Sequence, residues 1–378
     1  MKKIKVLQAN KLYYPVTGGI EKVVQDISEG FRDDPEIENQ VLVCQKKGRG
    51  SKDIVNGVSV TRCSSWGVVS SLPISFSYLK EFKIWAKCED IIHIHAPFPL
   101  GDLACRLSNY KGKIVVWWHS DIVRQKKLMK AYRPLMEWLL KRADAIIVAT
   151  EGNIEGSQYL VSYREKCHVI PFGVDPKLMF EADRYLKSER IKKLEAVDIK
   201  FLFTGRLVCY KGCDVLLQAF AKMKNKKATL TIIGEGKLRA ELVALSEKLE
   251  IKERVDFLGE VGRETLLQNF AECDVFVLPS VAPSEAFGIV QIEAMAYGKP
   301  VINTKLKSGV PYVSIHGETG VTVEAGDVKA LSAAMDLLAE NFELRERYGV
   351  AAAARAREIY SMDCMLARLK QLYINLVS

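Results

Sequence analysis

Residues 279–296 read Pro-Ser-Val-Ala-Pro-Ser-Glu285-Ala-Phe287-Gly288-Ile289-Val290-Gln-Ile-Glu293-Ala-Met-Ala. The stretch follows an apolar run at 275–278 and sets two carboxylates, Glu285 and Glu293, eight positions apart across a glycine turn and the start of an apolar helix. A helix beginning near Phe287 aims its unpaired N–H groups, and the positive end of its dipole, at whatever sits above Gly288, so an anion is the expected guest. A carboxylate so close to an anion site would repel phosphate and suits hydroxyl groups instead. A phosphorylated sugar or a nucleotide satisfies both demands.

Outward from this segment, short β-branched runs alternate with longer helix-like stretches, the pattern of parallel sheets flanked by helices. It predicts strands at 3–8, 40–44, 59–62, 91–95, 114–119, 145–149 and 168–171. A second series follows at 200–204, 229–233, 255–258, 275–278 and 300–304, with a short last strand at 319–323. Two series in 378 residues imply two doubly wound, Rossmann-like α/β domains. Pro171-Phe172-Gly173-Val174-Asp175-Pro176 breaks both periods and marks the junction. We expect an N-terminal domain over 1–173 completed by 361–378, and a C-terminal domain over 174–360. A charged surface excursion at 181–193 follows the junction. Met365, Leu366, Leu369, Leu372 and Leu376 give the tail the apolar spacing of a packed helix.

Composition is that of an ordinary globular protein, 48% apolar and free of low-complexity tracts. The apolar run behind Met1 is too short for a signal peptide, and no stretch approaches the roughly 20 apolar residues of a membrane span, so a cytoplasmic protein is expected. The nine cysteines are odd in number, lack a Cys-x-x-Cys pair and read as reduced core residues. Cys209 and Cys213 flank Lys211 without further metal ligands nearby. A net charge of +9 suits an anionic membrane face or an acidic substrate, and nucleic acid less, because no binding motif accompanies it. Much of the excess lies at 119–142, where Arg124, Lys126, Lys127, Lys130, Arg133, Lys141 and Arg142 face only Asp121 and Glu137. Leu128, Tyr132, Leu135, Met136, Trp138 and Leu139 interleave with them. That is either a basic amphipathic segment lying on a membrane or a domain helix with a solvated face.

Open parallel sheets bind ligands outside the carboxyl ends of their strands, which directs attention to the loops there. After the first strand, Gly18-Gly19-Ile20-Glu21 opens a helix and lets backbone approach a phosphate or an acceptor, though a glycine pair also simply makes turns. His93 and His95 point the same way from one strand, either as a metal pair short of a third ligand or, more in keeping with the sequence, as a polar strand end. His119 closes the next strand, as a cap for the following helix or as a site residue. Gly205-Arg206-Leu207 with Lys211-Gly212 puts two cations on a glycine-bounded loop, able to reach one diphosphate together. Gly234-Glu235-Gly236 is a further close-approach loop.

Together these motifs, with Ile170-Pro171-Phe172-Gly173-Val174-Asp175 and the Glu285/Glu293 pair, resemble the retaining, nucleotide-sugar-dependent glycosyltransferases of family 4, over nearly the whole chain. The resemblance implies a GT-B fold: two Rossmann-like domains facing a deep cleft, with the last helix crossing back to the N-terminal domain. Relatives often carry an aromatic where Ser361-Met362 stands at that crossover. It further implies that His119 lies beside the donor sugar, that Glu285 contacts its hydroxyls, that Glu293 holds the ribose, and that Gly18, Gly19, Arg206, Lys211, Gly234, Phe287, Gly288, Ile289 and Val290 line the donor site. His95 would face the acceptor side.

Breaking the anomeric bond leaves negative charge on a nucleoside diphosphate, which Arg206, Lys211 and the N–H groups of 288–290 can stabilise without a metal or other cofactor. No Asp-x-Asp motif follows a strand, and no carboxylate is an evident nucleophile, so retention is assigned to front-face attack. The pair also does not suit a two-acid hydrolase. The expected activity is transfer of a hexose from a nucleotide sugar, guessed as GDP-mannose type with UDP-hexose or UDP-N-acetylhexosamine as alternatives. The acceptor would be a saccharide on polyprenyl diphosphate, at an anionic inner membrane face, in bacterial surface polysaccharide synthesis. A sugar-nucleotide epimerase or phosphorylase, a nicotinamide-dependent dehydrogenase and a catalytically silent membrane-associated interaction protein are the rivals.

Overall fold

The computed structural model describes residues 2–16, 18–69, 72–122, 126–188 and 198–378, the side chains of 126–129 and 188 excepted. Contacts divide the chain into two units, Met1–Ala149 with Ser157–Pro171 and Met365–Ser378, and Thr150–Gly156 with Phe172–Cys364. The expected division after Gly173 and before Ser361 therefore compares with one after Pro171 and after Cys364, and Thr150–Gly156 goes to the second unit.

The first unit holds β1 (Ile4–Ala9), β2 (Ile37–Cys44), β3 (Ser51–Val55), β4 (Val58–Cys63), β5 (Val68–Val69), β6 (Leu72–Pro73), β7 (Ile91–Ala96), β8 (Lys113–Trp118), β9 (Ala145–Val148) and β10 (Cys167–Val169). Eight of them form one sheet in the order β10-β9-β8-β7-β1-β2-β4-β3. All its neighbours are parallel except β3, which runs antiparallel to β4 along the edge. The central strands read as near-continuous apolar runs because helices cover both faces, and every residue of β7 is buried. Tyr373 of the last helix, Met362–Val377, is fully buried in this unit and hydrogen-bonds Gln8 and His93.

In the second unit β11 (Lys200–Thr204), β12 (Thr229–Ile233), β13 (Val255–Gly259), β14 (Val275–Val277), β15 (Val301–Lys305) and β16 (Gly320–Glu324) form a wholly parallel sheet ordered β13-β12-β11-β14-β15-β16. Phe201, Phe203, Leu216, Leu217, Phe220 and Leu230 anchor its core. Strand order reverses at β11, whose neighbours are β12 and β14, and such a switch point parts the following loops into a crevice.

Three expectations change. β3 and the β5–β6 hairpin were not anticipated. The helix in the 279–296 segment starts at Ile289, because Gly288 occupies the left-handed region (φ +74°) and caps it from outside. The basic 119–142 segment forms the helix Lys126–Arg142, of which Tyr132, Met136, Leu139 and Leu140 are buried in the protein interior, Leu135 and Trp138 are half-buried, and Tyr132 donates to Asp102. It is a domain helix. Arg124 and the side chains of Lys126, Lys127 and Leu128 lie outside the described residues, as do 189–193 of the charged excursion. Among the described residues no helix is long and apolar enough to cross a membrane.

Candidate active site

The sequence-derived site residues fall into two sets, one per unit. In the second unit, the loops after β11 and β14 meet at the switch point. Gly234, at φ +132°, lets the loop after β12 touch the first of them: a Cβ there would lie 2.0 Å from the Gly205 oxygen. A Cβ on Gly212, at φ +67°, would lie 2.2 Å from the Pro279 oxygen. Val281 N donates to Tyr210 O at 2.8 Å. These approaches bring Lys211 against Glu285, with Nζ donating to Oε2 at 2.6 Å and both side chains about nine-tenths buried. Ser280 Oγ donates to the same oxygen at 3.1 Å.

A buried ion pair is paid for in desolvation, and its retention here is compatible with work other than stability. Arg206 stays exposed on the same loop, its guanidinium donating to the Tyr210 hydroxyl at 3.0 Å. Phe287 is buried against Phe172 (ring centroids 5.0 Å apart) and Tyr360, so its side chain fixes the loop while Gly288, Ile289 and Val290 begin the helix Ile289–Ala296. Gln291 steadies that start, donating to Phe287 O at 3.0 Å and accepting from Asn303. Glu293 is half-buried on this helix and acts electrostatically on Arg263.

In the first unit, Gly18 precedes the helix Gly19–Gly30. Gly18 is simply extended, and a Cβ on Gly19 would meet nothing within 4 Å. His119 does not cap a helix, because the next one starts at Lys126. It forms the end of a buried chain instead. Gln8 Nε2 donates to Asn39 Oδ1 and to the Tyr373 hydroxyl, which orients Gln8 Oε1 to accept from His95 Nε2 at 2.9 Å. His95 Nδ1 is then an acceptor, and His119 Nε2, 3.1 Å away, must carry the proton it receives. His95 and His119 rings stack at 5.3 Å. Burial drives all three imidazoles neutral: His95 falls to about 3, His93 and His119 well below the ordinary value. His95 is fully buried, so its place is behind His119 rather than on an open surface. Both its ring nitrogens are engaged within the protein. Gln8 and Ser280 were not singled out in the sequence. Ser280 sits five residues before Glu285, but nothing local marks Gln8, whose partners come from other strands.

Residues 17–178 match the model of Glycosyltransferase Family 4, and residues 187–355 that of Glycosyl transferases group 1. The chain is 35% identical to the D-rhamnosyltransferase WbpZ of Pseudomonas aeruginosa over 364 residues, covering 95% of this chain and 92% of that protein. The chain belongs to glycosyltransferase family 4. This glycosyltransferase is also 31% identical to the O-antigen chain mannosyltransferase C of Escherichia coli, covering 99% of both. Its fold is GT-B, like HepE of Anabaena in complex with UDP (TM-score 0.77, 20% identity, 99% and 100% of the two chains). WaaG, a glycosyltransferase involved in lipopolysaccharide biosynthesis, shares that fold at TM-score 0.68 and 18% identity, over 98% and 99% of the two chains.

Proposed function

We propose that this glycosyltransferase is a retaining, metal-independent α-hexosyltransferase that moves a mannose-type sugar from a GDP-linked donor to a polyprenyl-diphosphate-linked saccharide, at the anionic inner face of the cytoplasmic membrane, in bacterial O-antigen synthesis. The observation that carries this reading is the Lys211–Glu285 pair beside the start of the helix Ile289–Ala296. Lys211, Arg206 and the first helical N–H groups supply positive charge for the departing diphosphate. Glu285, held by Lys211 and Ser280, is an acceptor for sugar hydroxyls. Glu293 would take the ribose hydroxyls. His119, neutral and with Nδ1 as an acceptor, would take a hydroxyl of the transferred sugar, and the leaving phosphate oxygen would accept the acceptor's proton on the front face. The mannosyl and rhamnosyl names of the relatives support the choice of sugar. UDP in HepE supports a nucleotide-diphosphate donor and keeps UDP-sugars as the alternative.

Calorimetric titration with UDP-, GDP- and ADP-sugars, with and without EDTA, tests this. Binding of a GDP-sugar unchanged by EDTA is expected, and NMR should find the α-anomer in the product. Glu285→Gln and Lys211→Ala should lower turnover by about two to three orders of magnitude. Lys211→Ala also strands a buried carboxylate, at a cost of about 3–5 kcal/mol, so melting is followed alongside. Normal turnover in either folded variant, or no nucleotide-sugar binding at all, overturns the reading.

A further inference from the structure

The helix Lys126–Arg142 buries Tyr132, Met136, Leu139 and Leu140 in the fold, yet the first unit does expose an apolar surface elsewhere. It stands on residues 64–69 and 72–77. Val68 pairs with Pro73 and Val69 with Leu72 in the β5–β6 hairpin, and Trp66 N donates to Ile74 O at 3.0 Å below it. The Trp66 ring meets the Phe76 ring edge-on at 5.8 Å, although Trp66 is 77% and Phe76 69% exposed. Val68, Val69 and Ile74 are exposed as well. Isolated exposed apolar residues are ordinary; five on one projection, two of them aromatic, are not.

The backbone holds them outward. Ser64 and Ser77 join their hydroxyls at 2.7 Å, and Ser75 caps the helix Phe76–Trp85 by accepting from Tyr78 N. Gly48 and Ser65 exchange two backbone hydrogen bonds, which sets the exposed Lys46, Lys47 and Arg49 beside Trp66. On the other side Lys80 and Lys83, four and seven positions after Phe76, continue the exposed face of its helix. None of these five cations has an ion-pair partner among the described residues. The nearby acids are already engaged, Asp53 with Arg62 and Glu81 with Lys52. An apolar centre with an aromatic pair, ringed by unpaired cations, is complementary to an anionic bilayer: hydrocarbon and headgroup boundary for the centre, lipid phosphate for the ring.

We propose that this projection docks the enzyme on an anionic phospholipid bilayer, with Trp66, Val69 and Phe76 entering the headgroup–acyl boundary and Lys46, Lys47, Arg49, Lys80 and Lys83 lying over lipid phosphates. The inference deepens the membrane part of the proposed function and rests on it for its biological setting.

Vesicle flotation of the full chain tests it, using phosphatidylcholine vesicles with and without phosphatidylglycerol. Wild type should float with the phosphatidylglycerol vesicles. The double variants Trp66→Ser/Phe76→Ser and Lys46→Glu/Lys47→Glu should each lower partitioning by roughly tenfold or more, while Lys130→Glu/Lys141→Glu on the basic helix should float like wild type. All six positions are exposed, and circular dichroism checks that folding is kept. Wild type that ignores anionic vesicles, or Trp66→Ser/Phe76→Ser that floats undiminished, overturns the proposal. So does a dimer, detected by sedimentation, that the same variant abolishes, because it would name a second copy as the occupant. Nucleotide-sugar titration separates the two readings: flotation without nucleotide-sugar binding sinks the donor assignment and leaves this surface, and the converse sinks only this surface.

Discussion

His119 gains its character from a residue that touches no surface. With Gln8 Oε1 accepting from His95 Nε2, the proton between His95 and His119 has one place to sit, on His119 Nε2. His95 is thus a positioning residue, fixing His119 as an acceptor at Nδ1. Its replacement by Phe keeps the ring and removes both nitrogens. We expect His95→Phe to lower kcat by up to about a hundredfold, the cost of a site group misplaced by about an ångström. Nucleotide-sugar affinity should change little, and the His119 nitrogen NMR signals should show a proton distributed over both ring positions. An unchanged tautomer with unchanged kcat would return His95 to an ordinary core role. The sequence marked both histidines as strand-end residues but could not join them: the contact follows from β7 lying beside β8, with His95 in register with Trp117. Lys211 and Glu285 were likewise both legible as loop residues after strands. Their pairing was not, because only the adjacency of β11 and β14 brings residues 211 and 285 together.

The glycines of these loops separate into two kinds once the elements are in place. Gly234 holds a left-handed backbone against the Gly205 oxygen, so a side chain there must displace the loop that carries Arg206 and Lys211. Gly234→Ala should cost about 1–3 kcal/mol and weaken donor binding with it. Gly19 has helical geometry and open space beside it, so nothing in the fold asks for glycine. Gly19→Ala should therefore leave melting unchanged or raise it, by up to about 1 kcal/mol, and slow transfer only if a ligand closes on that helix start. Full activity in Gly19→Ala would remove the loop from the donor site. At this scale the main strands were readable because buried parallel strands are apolar throughout. β3 was not, since its Ser-Lys-Asp-Ile-Val is an edge strand with its middle residues exposed and no apolar face to betray it. The basic helix was ambiguous for a related reason: an amphipathic pattern says that one face is covered, and only the tertiary neighbours say by what.

Across the molecule, the groups that titrate abnormally near neutrality are unevenly shared. His93, His95, His119 and His168, all lowered by burial, belong to the first unit, as do Glu89 and Asp102, whose carboxyls burial lifts to about 7. In the second unit Cys213, Tyr297, Lys252 and three arginines are shifted, all outside that range. The histidines are held below their unfolded value of about 6.5, so the unfolded chain binds more protons below that point and stability is lost as pH falls towards the folded value, about 3 for His95. The two carboxyls behave oppositely: the folded state keeps protons the unfolded chain has released above about 4, so stability is lost as pH rises towards 7. From about 4.5 to 6.5 His93, His95 and His119 outweigh the two acids by one proton and His168 adds to the difference, so at least roughly 1.4 kcal/mol is lost per unit of acidification; above about 6.5 only the acids remain and the slope reverses. The first unit should be most stable near pH 6.5. All five tryptophans, at 66, 85, 117, 118 and 138, lie in the first unit, so tryptophan fluorescence follows its unfolding while circular dichroism follows both. Urea midpoints read by fluorescence should peak near pH 6.5, and Glu89→Gln, which removes a buried carboxylate without a side-chain partner, should flatten the alkaline limb and steepen the acid one. A fluorescence midpoint that does not move with pH would mean that these buried groups titrate as they do in water.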